Sequence, residues 1–222
     1  MKKNSILILI AISIFSLWNC EEKLQIPQPV YSNFLPSHEG NWWLYKIDTN
    51  TQLTDTLFAT KFDTIVSNKT YKIFKTKNFN DLKYLRQSGN SYYQLGANYI
   101  GMPDTLYRQL DSLSNYDFLY FKSDANEGET WSNEFVPNQI NKIRVLSKVL
   151  NKNITVTITD KKFENVTSVL YKVQIKYFNK NFPVDFPWED VNVPEYISYF
   201  KEGIGQVGDN KNVVLVDYKI LK

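Results

Sequence analysis

The sequence predicts a mainly β protein: one antiparallel, strongly curved sheet or barrel-like domain of about eleven strands, with one short helix. Three observations carry that expectation. Apolar residues recur at period two along most of the chain after Gly40, the pattern of strands with one buried face. Turn-forming clusters separate the runs: SNKT (67–70), QSGN (87–90), NKN (151–153) and GDNKN (208–212). Helical periodicity is confined to short stretches. Curling this many antiparallel strands into a barrel hides their edges.

The chain opens MKKNSILILIAISIFSLWNCEEK. Lys2 and Lys3 precede an apolar run from Ile6 to Leu17, too short for a membrane span and suited to a secretory signal peptide. Leu17 stands three positions before Cys20, the only cysteine. That spacing resembles the bacterial lipobox, although Trp18 and Asn19 occupy positions where small residues are usual. Residues 1–19 are therefore read as a lipoprotein signal peptide, and Cys20 as the lipidated residue that anchors the chain to a membrane. Several acyl chains together hold firmly where one does not. A lipidated Cys20 leaves no thiol for a disulfide, metal or nucleophile. Residues 20–36 read as the lipidated cysteine and a proline-containing tether, and 37–222 as the β-rich domain.

Removal of residues 1–19 from the 222-residue chain leaves 203, enough for one domain with a sizeable core. Of the formal charge of +3, Lys2 and Lys3 leave with the signal peptide, so the mature chain is near +1. No concentrated basic face emerges, and no nucleic-acid partner is expected. Aromatic residues make up 15% of the chain, an unusually large supply of core or platform side chains.

The strand signals run in order along the chain. TDTLFATKFDTIV places Phe58, Thr60, Phe62, Thr64 and Val66 on one face. The aromatic tracts SYYQLGANY and YDFLYF have strand spacing and read as core. Residues 104–113, DTLYRQLDSL, supply the best helix: Leu106, Leu110 and Leu113 recur at helical spacing behind an Asp104 cap. A weaker helical pattern lies around Pro194 to Tyr199. NITVTITD sets Ile154, Val156 and Ile158 against threonines, and LYKVQIKYF sets Tyr171, Val173, Ile175 and Tyr177 against polar residues.

Near the C-terminus, GIGQVG matches the dinucleotide-binding fingerprint G-x-G-x-x-G. That motif needs a strand before it and a helix after it. The residues after Gly208 instead alternate as a strand, so the glycines read as a turn following the YISYF strand. No cofactor is expected.

Three fragments, EGNWWLYKI, EGETW and YFKEGIGQV, together resemble a pattern of uncharacterised Bacteroidota outer-membrane and surface lipoproteins. Gly40, Trp43 and Tyr45 match an opening G-x-x-W-x-Y strand. Gly128 and Trp131 match the middle element, and Tyr199, Phe200, Gly203, Gly205 and Val207 the closing one. The resemblance implies a β-rich fold and an outer-membrane location, periplasmic or surface-facing, and no particular activity. The EEK after Cys20 also resembles the export signal of such lipoproteins. DTL (55–57), DTI (63–65), DTL (104–106) and DSL (111–113) resemble their D-[ST]-aliphatic O-glycosylation motif.

No constellation supports catalysis. His38, the single histidine, has only Glu39 beside it and reads as an exposed loop residue rather than a metal ligand. No G-x-S-x-G elbow supports a serine nucleophile, and the adjacent acids Glu21/Glu22 and Glu189/Asp190 do not make a cleft-spanning pair. The segment 181–196, NFPVDFPWEDVNVPEY, is the candidate binding loop: Phe182, Phe186 and Trp188 interleave with prolines beside Asp185 and Glu189. Rings beside carboxylates suit a sugar; the favoured alternative is that the rings fold back as a plug over one end of a barrel. The expected function is a non-enzymatic, lipid-anchored envelope protein that binds a glycan or a small apolar ligand, or serves an envelope partner. A filled-core interaction domain is the alternative, and a hydrolase built around His38 a third. Ligand binding predicts unfilled space near Trp188.

Overall fold

A computed structural model describes residues 32–48, 53–96, 116–136, 140–177, 184, 186–191, 195–210 and 213–221. They belong to one compact unit, Tyr31–Lys222. Among the described residues, thirteen strands make one sheet: β1 (Trp42–Asp48), β2 (Leu53–Val66), β3 (Lys69–Thr76), β4 (Leu82–Ser88), β5 (Ser91–Leu95), β6 (Asp117–Lys122), β7 (Thr130–Phe135), β8 (Asn141–Ile158), β9 (Lys161–Tyr177), β10 (Glu189–Asp190), β11 (Tyr196–Lys201), β12 (Gly205–Asp209) and β13 (Val214–Lys219). No helix occurs among the described residues. The expected helix at 104–113 lies outside them.

The order around the sheet is β6-β5-β4-β3-β2-β1-β13-β12-β11-β9-β8-β7, every pairing is antiparallel, and two-residue β10 pairs the end of β9. The two terminal strands, β6 and β7, are consecutive in sequence and meet, so the sheet is a nearly closed barrel. Their seam has no backbone ladder. Instead the Asn133 side chain takes the place of a peptide group: Oδ1 accepts from the Leu119 N–H at 2.9 Å and Nδ2 donates to the Leu119 carbonyl at 2.9 Å. The Trp131 indole donates to the same carbonyl at 3.1 Å. A strand edge otherwise exposed is satisfied by side chains.

The core lies inside. Alternation selects Phe74 from β3, Leu85 from β4, Tyr92 from β5, Phe118 from β6, Val145 and Val149 from β8, Val169 and Val173 from β9, and Leu215 from β13. The face expected for β2 is reversed. Phe58 and Phe62 are exposed, while Asp55, Leu57 and Ala59 point inward. Register decides this: Leu57 pairs with Thr76 and Ala59 with Phe74, both inward-facing residues of β3. A bulge between Ala59 and Asp63 then shifts the rest of the strand.

Two other expectations are corrected. The weak helix near 194–199 is strand β11, whose Tyr196, Ser198 and Phe200 alternate inward; Pro194 lies outside the described residues. NKN (151–153) is a bulge inside the continuous strand β8, with Asn153 at φ 55°, so two expected strands are one. The SNKT turn stands as read, with Ser67 and Asn68 at φ 49° and 60° joining β2 to β3. Two-residue hairpins favour such left-handed positions.

GIGQVG opens in the turn between β11 and β12, at Gly203 and Ile204, and its last four residues begin β12. Gly203 and Gly205 adopt φ 78° and 99°, and a Cβ on Gly205 would lie 3.2 Å from the Phe34 carbonyl oxygen. Glycine is needed there for both reasons.

Candidate functional site

The barrel has two unlike ends. One is filled by the incoming chain, although residues 20–36 read as a tether. Leu35 and Pro36 are buried, and Phe34 packs its ring 4.8 Å from Phe121 and 5.9 Å from Tyr92. The Asn33 carbonyl accepts from the Gly203 N–H at 2.7 Å. The tether boundary therefore moves toward the N-terminus, because these apolar side chains find a site in the core. Phe121 stacks 4.4 Å from Phe200, completing an aromatic floor at this plugged end.

Above the floor, the interior is not filled. A cavity of about 70 Å³ is lined by Trp43, Phe74, Phe118, Tyr120, Phe200 and other mainly apolar residues. A second, of about 210 Å³, lies farther toward the opposite end, among Tyr45, Ile47, Asp55, Leu57, Phe79 and Val213. Tyr45, Leu57, Tyr196 and Gln206 line both, so the two form one tapering internal space. Exposed Phe79 and Asp81, in the connection between β3 and β4, line its outer part. Protein interiors contain few voids larger than a water molecule, which makes this space a departure from close packing.

The walls are held rigidly. The Trp43 indole donates to the Ile204 carbonyl at 2.7 Å, and the Tyr45 hydroxyl donates to the Gln206 carbonyl at 2.9 Å. Tyr171 crosses from β9 to donate to the Tyr120 carbonyl at 2.6 Å, and Tyr196 donates to Asp209 Oδ2 at 3.1 Å. Burial pushes the Tyr171 and Tyr196 phenols well above their ordinary range, so both remain donors throughout the physiological range. On the floor side, the polar groups are few: Gln94, Ser198 and Gln206. Such a surface, with aromatic and aliphatic walls and a small number of fixed polar groups, is the ordinary chemistry of a small-molecule site.

The sequence-derived candidates lie elsewhere. Trp188 stands on the outer face, its ring 4.4 Å from the Arg144 guanidinium carbon and 5.9 Å from Lys176 Nζ. Arg144 and Lys176 belong to the face of β8 and β9 opposite the core, as does Gln174, which accepts from Arg144 Nε at 2.8 Å. Phe186 is 46% exposed. The plug reading therefore fails for these two rings, and the barrel is plugged instead by Phe34 and its neighbours. Glu189 is exposed and pairs with Ile175 through β10. Phe182 and Asp185 lie outside the described residues, as does Cys20. The unfilled space described above lies inside the barrel, and Trp188 does not line it.

His38 is exposed in the entry loop, and its Nδ1 lies 2.9 Å from the Glu39 carbonyl oxygen. Among the described residues, no three His, Cys, Asp or Glu side chains come close enough to share a metal ion. The first two D-[ST]-aliphatic sites, 55–57 and 63–65, are in β2; the other two lie outside the described residues. The internal cavity was missed by sequence reading because its lining comes one or two residues at a time from separate strands. Compared with protein-family models, curated proteins and solved structures, the chain matches none of them.

Proposed function

We propose that this protein is a non-enzymatic, lipid-anchored envelope protein that holds a small apolar molecule inside its barrel. The observation carrying this reading is the tapering internal space, whose outer part alone has a volume of about 210 Å³. An apolar cavity of roughly 150 Å³ is already enough to hold benzene. Of the two ligand classes expected, the apolar one fits the interior better than a glycan fits Trp188, since the Arg144 guanidinium lies against that ring.

The anchor rests on the sequence: the charged N-terminus, the short apolar run and Cys20 at lipobox spacing. The chain enters at the plugged end, through Asn33 and Phe34.

The test is a titration of the full chain in lipid nanodiscs with N-phenyl-1-naphthylamine, corrected with empty nanodiscs. Saturable one-to-one uptake is expected, together with its loss in Leu57→Trp, which places an indole in the space both chambers share. Folded wild-type protein without saturable uptake overturns the reading and favours the protein-interaction alternative.

A further inference from the structure

We propose that the cavity is entered through the barrel wall, between β12 and β13, and that the far end of the β8–β9 hairpin is the strap that closes this portal. The inference rests on the cavity-binding reading above and adds the route by which the ligand arrives.

The wall is weakest at this seam. β12 and β13 are neighbours in the sheet, yet they share a single residue pair, Gly208 with Val214. Each pairs over several residues with its other neighbour, β12 with β11 and β13 with β1. Away from Gly208, carbonyls on the β12 side are held by side chains instead: Ile204 accepts from the Trp43 indole and Gln206 from the Tyr45 hydroxyl. Gly205 and Gln206 line the inner chamber, so the cavity lies directly behind the seam.

The β8–β9 hairpin crosses the seam on the outside. Beyond Asn151 and Ser168 its ladder is irregular: the register shifts three times between Val149 and Val156, and Asn153 and Asn165 adopt φ 55° and 56°. Such bulges bend a strand pair. One face of this strap, with Thr155 and Thr157, is exposed. The other carries Ile158 and Phe163, which are buried, and Ile154 and Val156, which pack against the core. Gly208 pairs with Tyr199, on the face of β11 opposite the inward Ser198 and Phe200. A Cβ on Gly208 would stand 3.0 Å from Ile158 Cδ1, so glycine lets the strap rest on the seam's one paired residue. Lys201 Nζ on β11 donates to the Glu164 carbonyl at 2.6 Å, and Lys161 Nζ at the tip donates to Asp217 Oδ1 on β13 at 3.2 Å. The strap is thus tied on both sides of β12. Its tie to β13 is an exposed ion pair, a contact that holds only lightly.

The two routes into the cavity differ in chemistry. A ligand entering by the outer chamber meets Asp81 and Lys83. One passing beneath the strap meets Ile154, Val156, Ile158 and Phe163, and arrives beside the mainly apolar inner chamber. An apolar molecule stays against apolar surface throughout the second route. A lightly held hairpin end is also the kind of segment that opens locally while the rest of a sheet stays closed.

The test ties the strap down. Lys161→Cys and Asp217→Cys, both at exposed positions, are joined by a bismaleimide with a disulfide in its spacer. Uptake of N-phenyl-1-naphthylamine is followed by stopped-flow fluorescence on the full chain in nanodiscs, corrected with empty nanodiscs. Tying is expected to slow uptake by about tenfold or more, because it suppresses the local opening. Cleaving the spacer is expected to restore the rate of the untied double variant. Equal rates for tied and untied chains overturn the portal and assign entry to the outer chamber, with the cavity reading left standing. A rate that stays slow after cleavage overturns it too, since the modification rather than the tie is then responsible. Wild-type protein without saturable uptake removes both readings. Should the double variant fail to fold, Ile158→Ala decides: thinning the strap's apolar underside is expected to speed uptake, and an unchanged rate overturns the portal.

Discussion

The indole N–H of Trp43 donates to the carbonyl of Ile204 at 2.7 Å, joining the first strand of the barrel to the turn that precedes β12. Tyr45, on the same face of β1, repeats the contact with Gln206 at 2.9 Å. In the sheet, β13 lies between β1 and β12, so these side chains reach over it across the concave surface. The opening G-x-x-W-x-Y element and the closing G-x-G-x-V element, 161 residues apart, are thus two halves of one hydrogen-bonded structure.

Trp43→Phe removes the donor and strands the Ile204 carbonyl in the interior. A buried acceptor deprived of its partner costs about 1–3 kcal/mol. For a domain of this size each kcal/mol lowers Tm by roughly 2–4 °C. Thermal unfolding followed by circular dichroism is expected to show that loss, while Trp42→Phe, altering a side chain of opposite orientation in the same strand, moves Tm by less. Equal shifts for both would mean that indole bulk matters more than the bond.

Asn133 makes a prediction of a different kind, because it substitutes for backbone at the seam between β6 and β7. Asn133→Ala leaves the Leu119 N–H without its acceptor, a loss of about 1–3 kcal/mol. The local readout is hydrogen exchange. The Leu119 amide is expected to lose most of its protection, while the Val173 amide, in a strand flanked on both sides, keeps nearly all of its own. Uniform loss across the sheet would show that the seam controls global rather than local opening.

These two sites also show how much of the structure was legible beforehand. Period-two alternation in β8, β9 and β13 marked both the strands and their buried faces, because a strand buried on one side writes its geometry directly into the sequence. The reading of GIGQVG as a turn followed from the strand pattern after it. What was not legible depends on register. The phase of β2 is set by pairing with β3, and nothing local distinguishes the face with Phe58 from the face with Leu57. Phe34 looked like tether because a plug has no periodicity of its own. The cavity is likewise a product of assembly. Phe186 and Trp188, from the most conspicuous stretch of sequence, stand exposed and on the outer face respectively.

The proposed membrane anchor rests on Cys20, and its test is chemical. Cells fed an alkyne-tagged palmitate are expected to label the wild-type chain and not Cys20→Ser, with the variant leaving the detergent-extractable membrane fraction. Two or more acyl chains at about 0.8 kcal/mol per buried methylene would hold the chain where one would exchange. A labelled Cys20→Ser, or an unlabelled wild type still held by membranes, would require another attachment.

The last prediction concerns acid stability and the ion cluster on the outer face around Asp117. Its carboxylate accepts from Arg86 Nε at 3.1 Å and from a second guanidinium nitrogen, from Lys69 Nζ at 2.6 Å and from the Tyr71 hydroxyl at 2.8 Å. Arg86 is held over the Tyr93 ring, its guanidinium carbon 3.7 Å from the centroid. Burial pushes the Asp117 carboxyl upward, but the bonds from Arg86, Lys69 and Tyr71 outweigh it, so the group lies below its ordinary value. Because the folded state binds this proton less readily than the unfolded state, the contribution to stability is complete above the unfolded value of about 3.9 and is lost as pH falls from there through the folded value. Asp117→Asn removes the charge and the linkage together. Urea unfolding is therefore expected to separate wild type from variant by about 1.5–3 kcal/mol at pH 7, the range for hydrogen bonds to charged groups. Below about pH 4 the gap narrows as the wild-type carboxylate takes up its proton. A gap of constant size from pH 7 to pH 3 would mean that Asp117 acts through packing and neutral hydrogen bonds, with no role for its charge.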